Sequence, residues 1–211
     1  MVNRFAFLDG PLVRSILSAL AVVVGGVVVL NAPAERTLGT GIQSVYVHVS
    51  LTWAGLALAA GFVFAATAAA IASPARFTAP LDRMYGSAVA LLLMGLVASF
   101  IAASTNWGAI QWTEPRTLAV VKVLIGMSGA WVIVRPLSSR PRFRLGALAT
   151  VTATLLGWLY LVPRVLHPEA PVGSSGVSAI KAVFYGLTTL WLLVAAMWVV
   201  RPRSAVVRAP R

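Results

Sequence analysis

Six apolar runs divide this chain, at about residues 13–31, 44–72, 84–104, 117–135, 143–162 and 178–200. Each can cross a hydrocarbon layer of roughly 30 Å at about 1.5 Å per helical residue. The second is longer than that needs, so it tilts or projects beyond the bilayer. Within hydrocarbon every backbone N–H and C=O must be satisfied inside the segment. A strand reading lacks both the alternation and the number of segments that a closed barrel requires. The expected fold class is therefore all-α: a polytopic membrane protein with six transmembrane helices. Composition agrees, since 59% of residues are hydrophobic and 10% are charged, whereas soluble domains carry about 25% charged residues. No long linker, low-complexity tract or internal repeat interrupts the pattern, so residues 1–211 read as a single domain.

A net charge of +12 in a soluble protein would point to nucleic acid. Here the basic residues lie mostly in short connections between apolar runs, so topology explains them and no nucleic-acid partner is expected. Arg4, Arg14, Arg76, Arg83, Arg135, Arg140, Arg142, Arg144, Arg201, Arg203, Arg208 and Arg211 collect on one side of six alternating spans. Arg36, Arg116 and Arg164 fall on the other, with Lys122 and Lys181 just inside the neighbouring helices, where they can snorkel. The positive-inside rule then places both termini in the cytoplasm of a cell with this protein in its inner membrane. The first run, with Arg4 and Arg14 before it and Ala32-Pro33-Ala34 after it, imitates a signal peptide. It is longer than a signal core of about 7 to 15 residues, which favours a retained anchor.

The chain has no cysteine, which excludes disulfides, zinc ribbons and covalent haem attachment through Cys-x-x-Cys-His. It has two histidines. His48 opens the second run in Tyr46-Val47-His48-Val49, and His167 lies in the Pro-rich stretch after the fifth. An even number of crossings separates them, so both face the same, extracytoplasmic side. An imidazole there can ligate a metal through one nitrogen while a carbonyl or carboxylate holds the other. The plainer reading of His48 is an interfacial polar residue satisfied by a carbonyl, and that of His167 a solvated loop residue. A third outward segment, Trp107 to Arg116, is the one aromatic-rich polar loop. Trp107 and Trp112 offer ring faces, Gly108 permits close backbone approach, and Glu114 and Arg116 set opposite charges beside them. Trp53, Trp131, Trp158, Trp191 and Trp198 read mostly as interfacial belt residues. Gly25, Gly26, Gly126 and Gly129 read as close-packing positions between helices.

These residues resemble the cytochrome c assembly family of haem-handling membrane proteins. Tyr46-Val47-His48-Val49 followed by Trp53 is similar to the family's Tyr-Leu-His-Val-Pro segment with its following Trp. Trp107-Gly108, Trp112, Glu114-Pro115 and Arg116 resemble its tryptophan-rich, aspartate-containing outward motif. His167, followed by Gly173-Ser174-Ser175-Gly176, resembles its second outward histidine. The chain departs from the pattern at Ser50, where the family has Pro, at Ile110 and Thr113, which stand for tryptophans, and at Glu114, which stands for Asp. The resemblance implies non-covalent, transient b-type haem with His48 and His167 as axial ligands of its iron. It implies Trp107, Gly108, Trp112, Glu114 and Arg116 as the platform for the ring. It also implies a carrier that is not itself an enzyme, working with a membrane-anchored haem chaperone, ABC-type maturation subunits and a small membrane subunit. The alternative expectation is a haem-binding membrane-anchor subunit of a quinone-linked redox complex.

Overall fold

Proline opens four of the helices at a position where its missing N–H costs nothing, Pro11, Pro74, Pro115 and Pro141. In the computed structural model, which describes residues 10–72, 74–162, 172 and 175–200, the elements are α1 (Pro11–Leu30), α2 (Ile42–Ile71), α3 (Pro74–Trp107), α4 (Pro115–Val134), α5 (Pro141–Leu161) and α6 (Ser178–Val199). A short 3-10 turn, Arg135–Ser139, joins α4 to α5. All six helices are long and apolar enough to cross a membrane, and no strand occurs among the described residues. The protein is an all-α, multi-pass membrane protein.

Helix boundaries differ from the apolar runs at instructive places. α3 begins at Pro74 and runs through Pro80, Asp82 and Arg83, whereas the apolar run starts at 84. The polar residues are carried inside the helix because neighbours satisfy them. Asp82 Oδ2 accepts from Arg144 at 2.7 Å, and Arg83 Nε donates to the Val199 carbonyl at the end of α6 at 3.0 Å. At its other end α3 extends to Trp107, so the connection to α4 is shorter than the expected outward loop. The long second run is a 30-residue helix.

α2 is the central element. It packs chiefly along α3 and also against α5, α6 and the end of α1; α1 otherwise lies on α6, and α4 on α5 and α3. The α2–α3 seam is tight because glycine lines it. A Cβ on Gly55 would stand 2.8 Å from Leu92 Cγ and 3.0 Å from Leu92 N, and one on Gly95 would stand 2.5 Å from Thr52 Oγ1 and 3.0 Å from Thr52 N. Contacts that close involve main chain, which cannot move aside as a flexible side chain can. Of the four glycines expected to serve close packing, Gly25 does so against the Trp191 ring (3.0 Å) and Gly126 against Leu155 (2.9 Å), while a Cβ on Gly26 or Gly129 would meet nothing within 4 Å. The main core joins Phe62, Tyr85, Leu92, Met127, Leu145 and Leu148. A second cluster sits where α2 starts: Ile42, Val45, Tyr46, Ala102, Val172, Ile180 and Leu187. Leu12, Ile16, Leu20, Val23, Val27 and Leu30 of α1 stay exposed, as a lipid-facing helix requires.

Two of the presumed belt tryptophans turn out to be bonded inside the bundle. Trp191 Nε1 donates to Ser50 Oγ and Trp198 Nε1 to Ser18 Oγ, each at 3.0 Å. Ser50 itself donates to the Val47 carbonyl at 3.2 Å, so the hydroxyl at this family-divergent position ties α6 to α2.

Candidate functional site

The alternation of the helices brings the start of α2, the end of α3, the start of α4 and the start of α6 to one end of the bundle. Asn106 fastens the first two, its Nδ2 donating to the Gly41 carbonyl (3.2 Å) and to Ser44 Oγ (3.1 Å). The Tyr46 hydroxyl donates to the Pro33 carbonyl at 3.3 Å and holds the α1–α2 connection over this end. Glu35 closes that connection: its carboxylate accepts from the N–H of Thr37 (2.7 Å) and Leu38 (2.9 Å). The Leu38 bond, more than the Thr37 one, holds its pKa below the ordinary 4.5.

His48 does not open its helix. α2 starts at Ile42, so His48 lies six residues inside, about 9 Å along the axis at 1.5 Å per residue. It is half-buried, with Nδ1 2.9 Å from the Gly95 carbonyl oxygen on α3. A carbonyl only accepts, so Nδ1 carries the hydrogen in this bond; when the ring is neutral its lone pair is then on Nε2. Thr52 Oγ1 donates to the His48 carbonyl at 2.9 Å. The same Thr52 touches Gly95, so the absence of a side chain at 95 is what lets the imidazole reach main chain. A histidine fixed through Nδ1 to a carbonyl, with Nε2 as the basic nitrogen, is how a metal-ligating imidazole is usually oriented. It equally satisfies the plainer reading of His48, and the chemistry of the donor fits an axial ligand to haem.

The aromatic segment divides into three parts. Trp107 is the last residue of α3. Gly108 follows with φ +74, its N–H bonded to the Ser104 carbonyl at 3.1 Å; this left-handed turn ends the helix. A Cβ there would meet no protein atom within 4 Å, so within the fold Gly108 serves the chain reversal. Trp112 is exposed, and its ring packs on Phe100 with centroids 5.2 Å apart. The Asn106–Ser44 and Gly95–Thr52 contacts set the register of α3 against α2 and put Phe100 at about the height of His48. Trp112 is thereby folded back toward the level of the imidazole. Trp107 is also partly exposed.

Glu114 is buried and caps α4, Oε2 accepting from the Thr117 N–H at 2.6 Å. Its Oε1 has no hydrogen-bond partner among the described residues. With an acid at the cap and proline at the first position, Glu114-Pro115 starts the helix, and capping is the first role of Glu114. Arg116 follows in the first turn of α4, half-buried. Lys122 sets its ammonium 5.7 Å from the Trp158 ring centroid. His167 lies outside the described residues, as do Arg164 and Glu169. Of the two described residues nearest it, Val162 packs at the end of α5 and Val172 is buried with Ile42, Tyr46 and Ile180, at the starts of α2 and α6.

Sequence reasoning did not single out Gly95, Thr52, Asn106 or Phe100. Asn106 carried a signal, a lone amide next to Trp107 at the end of an apolar run. Gly95 carried none, because its meaning depends on which helix lies against it. Six membrane-length helices, with an imidazole of α2 held by a carbonyl of α3, define the class: a multi-pass membrane protein with candidate ligand residues toward one end of the bundle. No family model, no curated protein and no solved structure matches this chain.

Proposed function

We propose that this protein binds haem at the extracytoplasmic membrane face and delivers it to a membrane-anchored haem chaperone during cytochrome c maturation. The observation that carries the reading is the His48 imidazole, held through Nδ1 by the Gly95 carbonyl so that Nε2 is the ligating nitrogen. Trp112, folded back on Phe100, and the partly exposed Trp107 would offer faces to the ring. Arg116 is the cation suited to a propionate. His167, in the connection that returns at Val172, would supply the second axial nitrogen, as the resemblance to heme exporter protein C (CcmC) implies. ABC-type maturation subunits and a small membrane subunit would be its partners by the same resemblance. Both termini would be cytoplasmic, in the inner membrane, from the distribution of arginines. The chain's own part is to hold and release its cargo, and no bond-making step is assigned to it.

The absorption spectrum of the purified protein, with and without added haem, tests this. Wild type is expected to show a low-spin bis-His spectrum that both His48→Ala and His167→Ala abolish, with little further loss in the double variant, because six-coordination needs both nitrogens. Added imidazole should restore it in either single variant. Replacing Trp107 and Trp112 by Ala should weaken loading in a graded way, by about 0.5 to 1.5 kcal/mol per aromatic pair, and more than replacing Trp131 and Trp158. A wild-type spectrum unchanged in His48→Ala overturns the assignment. Haem that survives purification fully and responds rapidly to reductant would favour the quinone-linked anchor instead.

A further inference from the structure

At the opposite end of the bundle a groove runs between α3 and α6, lined by Arg83, Gly86, Ser87, Ala90 and Trp198. Its depth in the membrane follows from its neighbours. Arg144, bonded to the adjacent Asp82, lies in the first turn of α5, and Val199, bonded to Arg83, is the last residue of α6. Two helices thus end at the height of residues 82 and 83, where headgroups begin. Gly86 and Ala90 lie about one and two turns deeper, a trough of roughly 10 Å from Arg83 at 1.5 Å per residue.

Arg83 is the charged rim of this trough. Its Nε is committed to the Val199 carbonyl, which fixes the guanidinium plane and leaves its terminal nitrogens as donors. Asp82, the one carboxylate at this end among the described residues, is taken by Arg144 at 2.7 Å. Arg14, Arg135, Arg140, Arg142 and Arg144 share this end, so its field is strongly positive. Trp198 turns its N–H away to Ser18, and a Cβ on Gly86 would meet nothing within 4 Å. The floor is open and apolar, and the rim is a fixed cation that no carboxylate pairs among the described residues.

We propose that this groove binds a phospholipid of net negative charge, the phosphate on Arg83 and one acyl chain along Gly86 and Ala90 against Trp198. A planar guanidinium pairs with phosphate oxygens two at a time, and basic recesses between membrane helices suit such headgroups. The site is independent of the haem reading.

Native mass spectrometry of the delipidated full chain in detergent, with equal phosphatidylglycerol and phosphatidylcholine added, tests it. Wild type should retain phosphatidylglycerol in preference. Gly86→Leu places a side chain in the trough from a position whose Cβ would meet no protein atom within 4 Å, and should bind it about tenfold more weakly, with an unchanged thermal unfolding curve. Gly186→Leu, at a position on α6 equally open, should bind as wild type does. Arg83→Gln should erase the preference for the anionic lipid. Equal retention of both lipids by wild type, or wild-type binding by Gly86→Leu, overturns the proposal; should Arg83→Gln fail to fold, the two glycine variants decide it alone.

Discussion

The two ends of the bundle use polar residues in opposite ways. At the arginine-rich end, side chains pair with one another or with a helix terminus, as Asp82 does with Arg144 and Arg83 with Val199. At the other end the polar groups of His48, Asn106, Tyr46, Glu35 and Glu114 are matched largely to main-chain carbonyls and N–H groups. The Asp82–Arg144 pair is satisfied within itself and has little left to offer a ligand, whereas Arg83, held through Nε, keeps its terminal nitrogens. An imidazole held at Nδ1 by a carbonyl is fixed in orientation. The contrast teaches that charge at one end is spent mostly on architecture and topology, while the residues on which the haem proposal rests at the other end are fastened largely through main chain.

The largest effect expected from this contrast is at the ion pair. Asp82→Ala leaves Arg144, whose side chain is 10% exposed, without its counter-charge. The cost should be about 3 kcal/mol, the low edge for a buried pair because a third of the Asp82 side chain is open. Chemical unfolding in detergent would measure it. Replacing both partners, Asp82→Asn with Arg144→Gln, should recover much of the loss, since no lone charge is then buried. If the single change is silent, this end is not held by its charges and the contrast fails.

A smaller effect, but one that reaches the site, is expected at Gly95. Gly95→Val brings a side chain into Thr52 main chain, so α2 and α3 must separate, at a cost of about 2 kcal/mol. Separation also breaks the bond from His48 to the Gly95 carbonyl. Haem loading should therefore fall more in Gly95→Val than in Gly129→Val, which meets open space. Equal loading at matched stability would mean that the carbonyl does not orient the imidazole.

What could be read before folding follows from where each kind of information resides. The six spans were legible because an apolar run dictates its own environment, whatever lies next to it. The start of α3 was not, since Pro80, Asp82 and Arg83 look like a connection until Arg144 and Val199 are in place to satisfy them. Gly25 and Gly126 were read correctly as packing sites, but Gly26 and Gly129 look the same in sequence and face open space. Close approach belongs to a pair of helices and not to either one. The same limit hid Gly95, and with it the partner of His48. The family-like residues were legible as types, yet Gly108 and Glu114 proved first to be the stop of α3 and the cap of α4. Helix ends recruit such residues for their own needs.

The smallest effect should come from Glu35, the one titrating group among the described residues whose shift lies outside the spans, and it asks whether charge at the site end is structural after all. Glu35 is exposed at its carboxylate, and its pKa is lowered from 4.5 chiefly by the Leu38 N–H, then by that of Thr37, against a desolvation effect that raises it. A carboxyl whose folded pKa is depressed contributes order that is fully present above the unfolded value. That order is lost as pH falls through the lower, folded one. The expected outcome is local. On acidification through 4.5, the amides of Thr37 and Leu38 should lose protection against hydrogen exchange relative to Glu35→Gln, whose side chain does not titrate. The main-chain pair between Glu35 and Gly39, at 3.1 Å and 2.7 Å, should hold longer because neither partner titrates. The amides of α2 around His48 should stay protected throughout, for Asn106 and the glycine seam hold that helix without help from any carboxylate. Should the start of α2 open together with Leu38, a charge would be supporting the site end as Asp82 supports the other, and the two ends would differ only in degree.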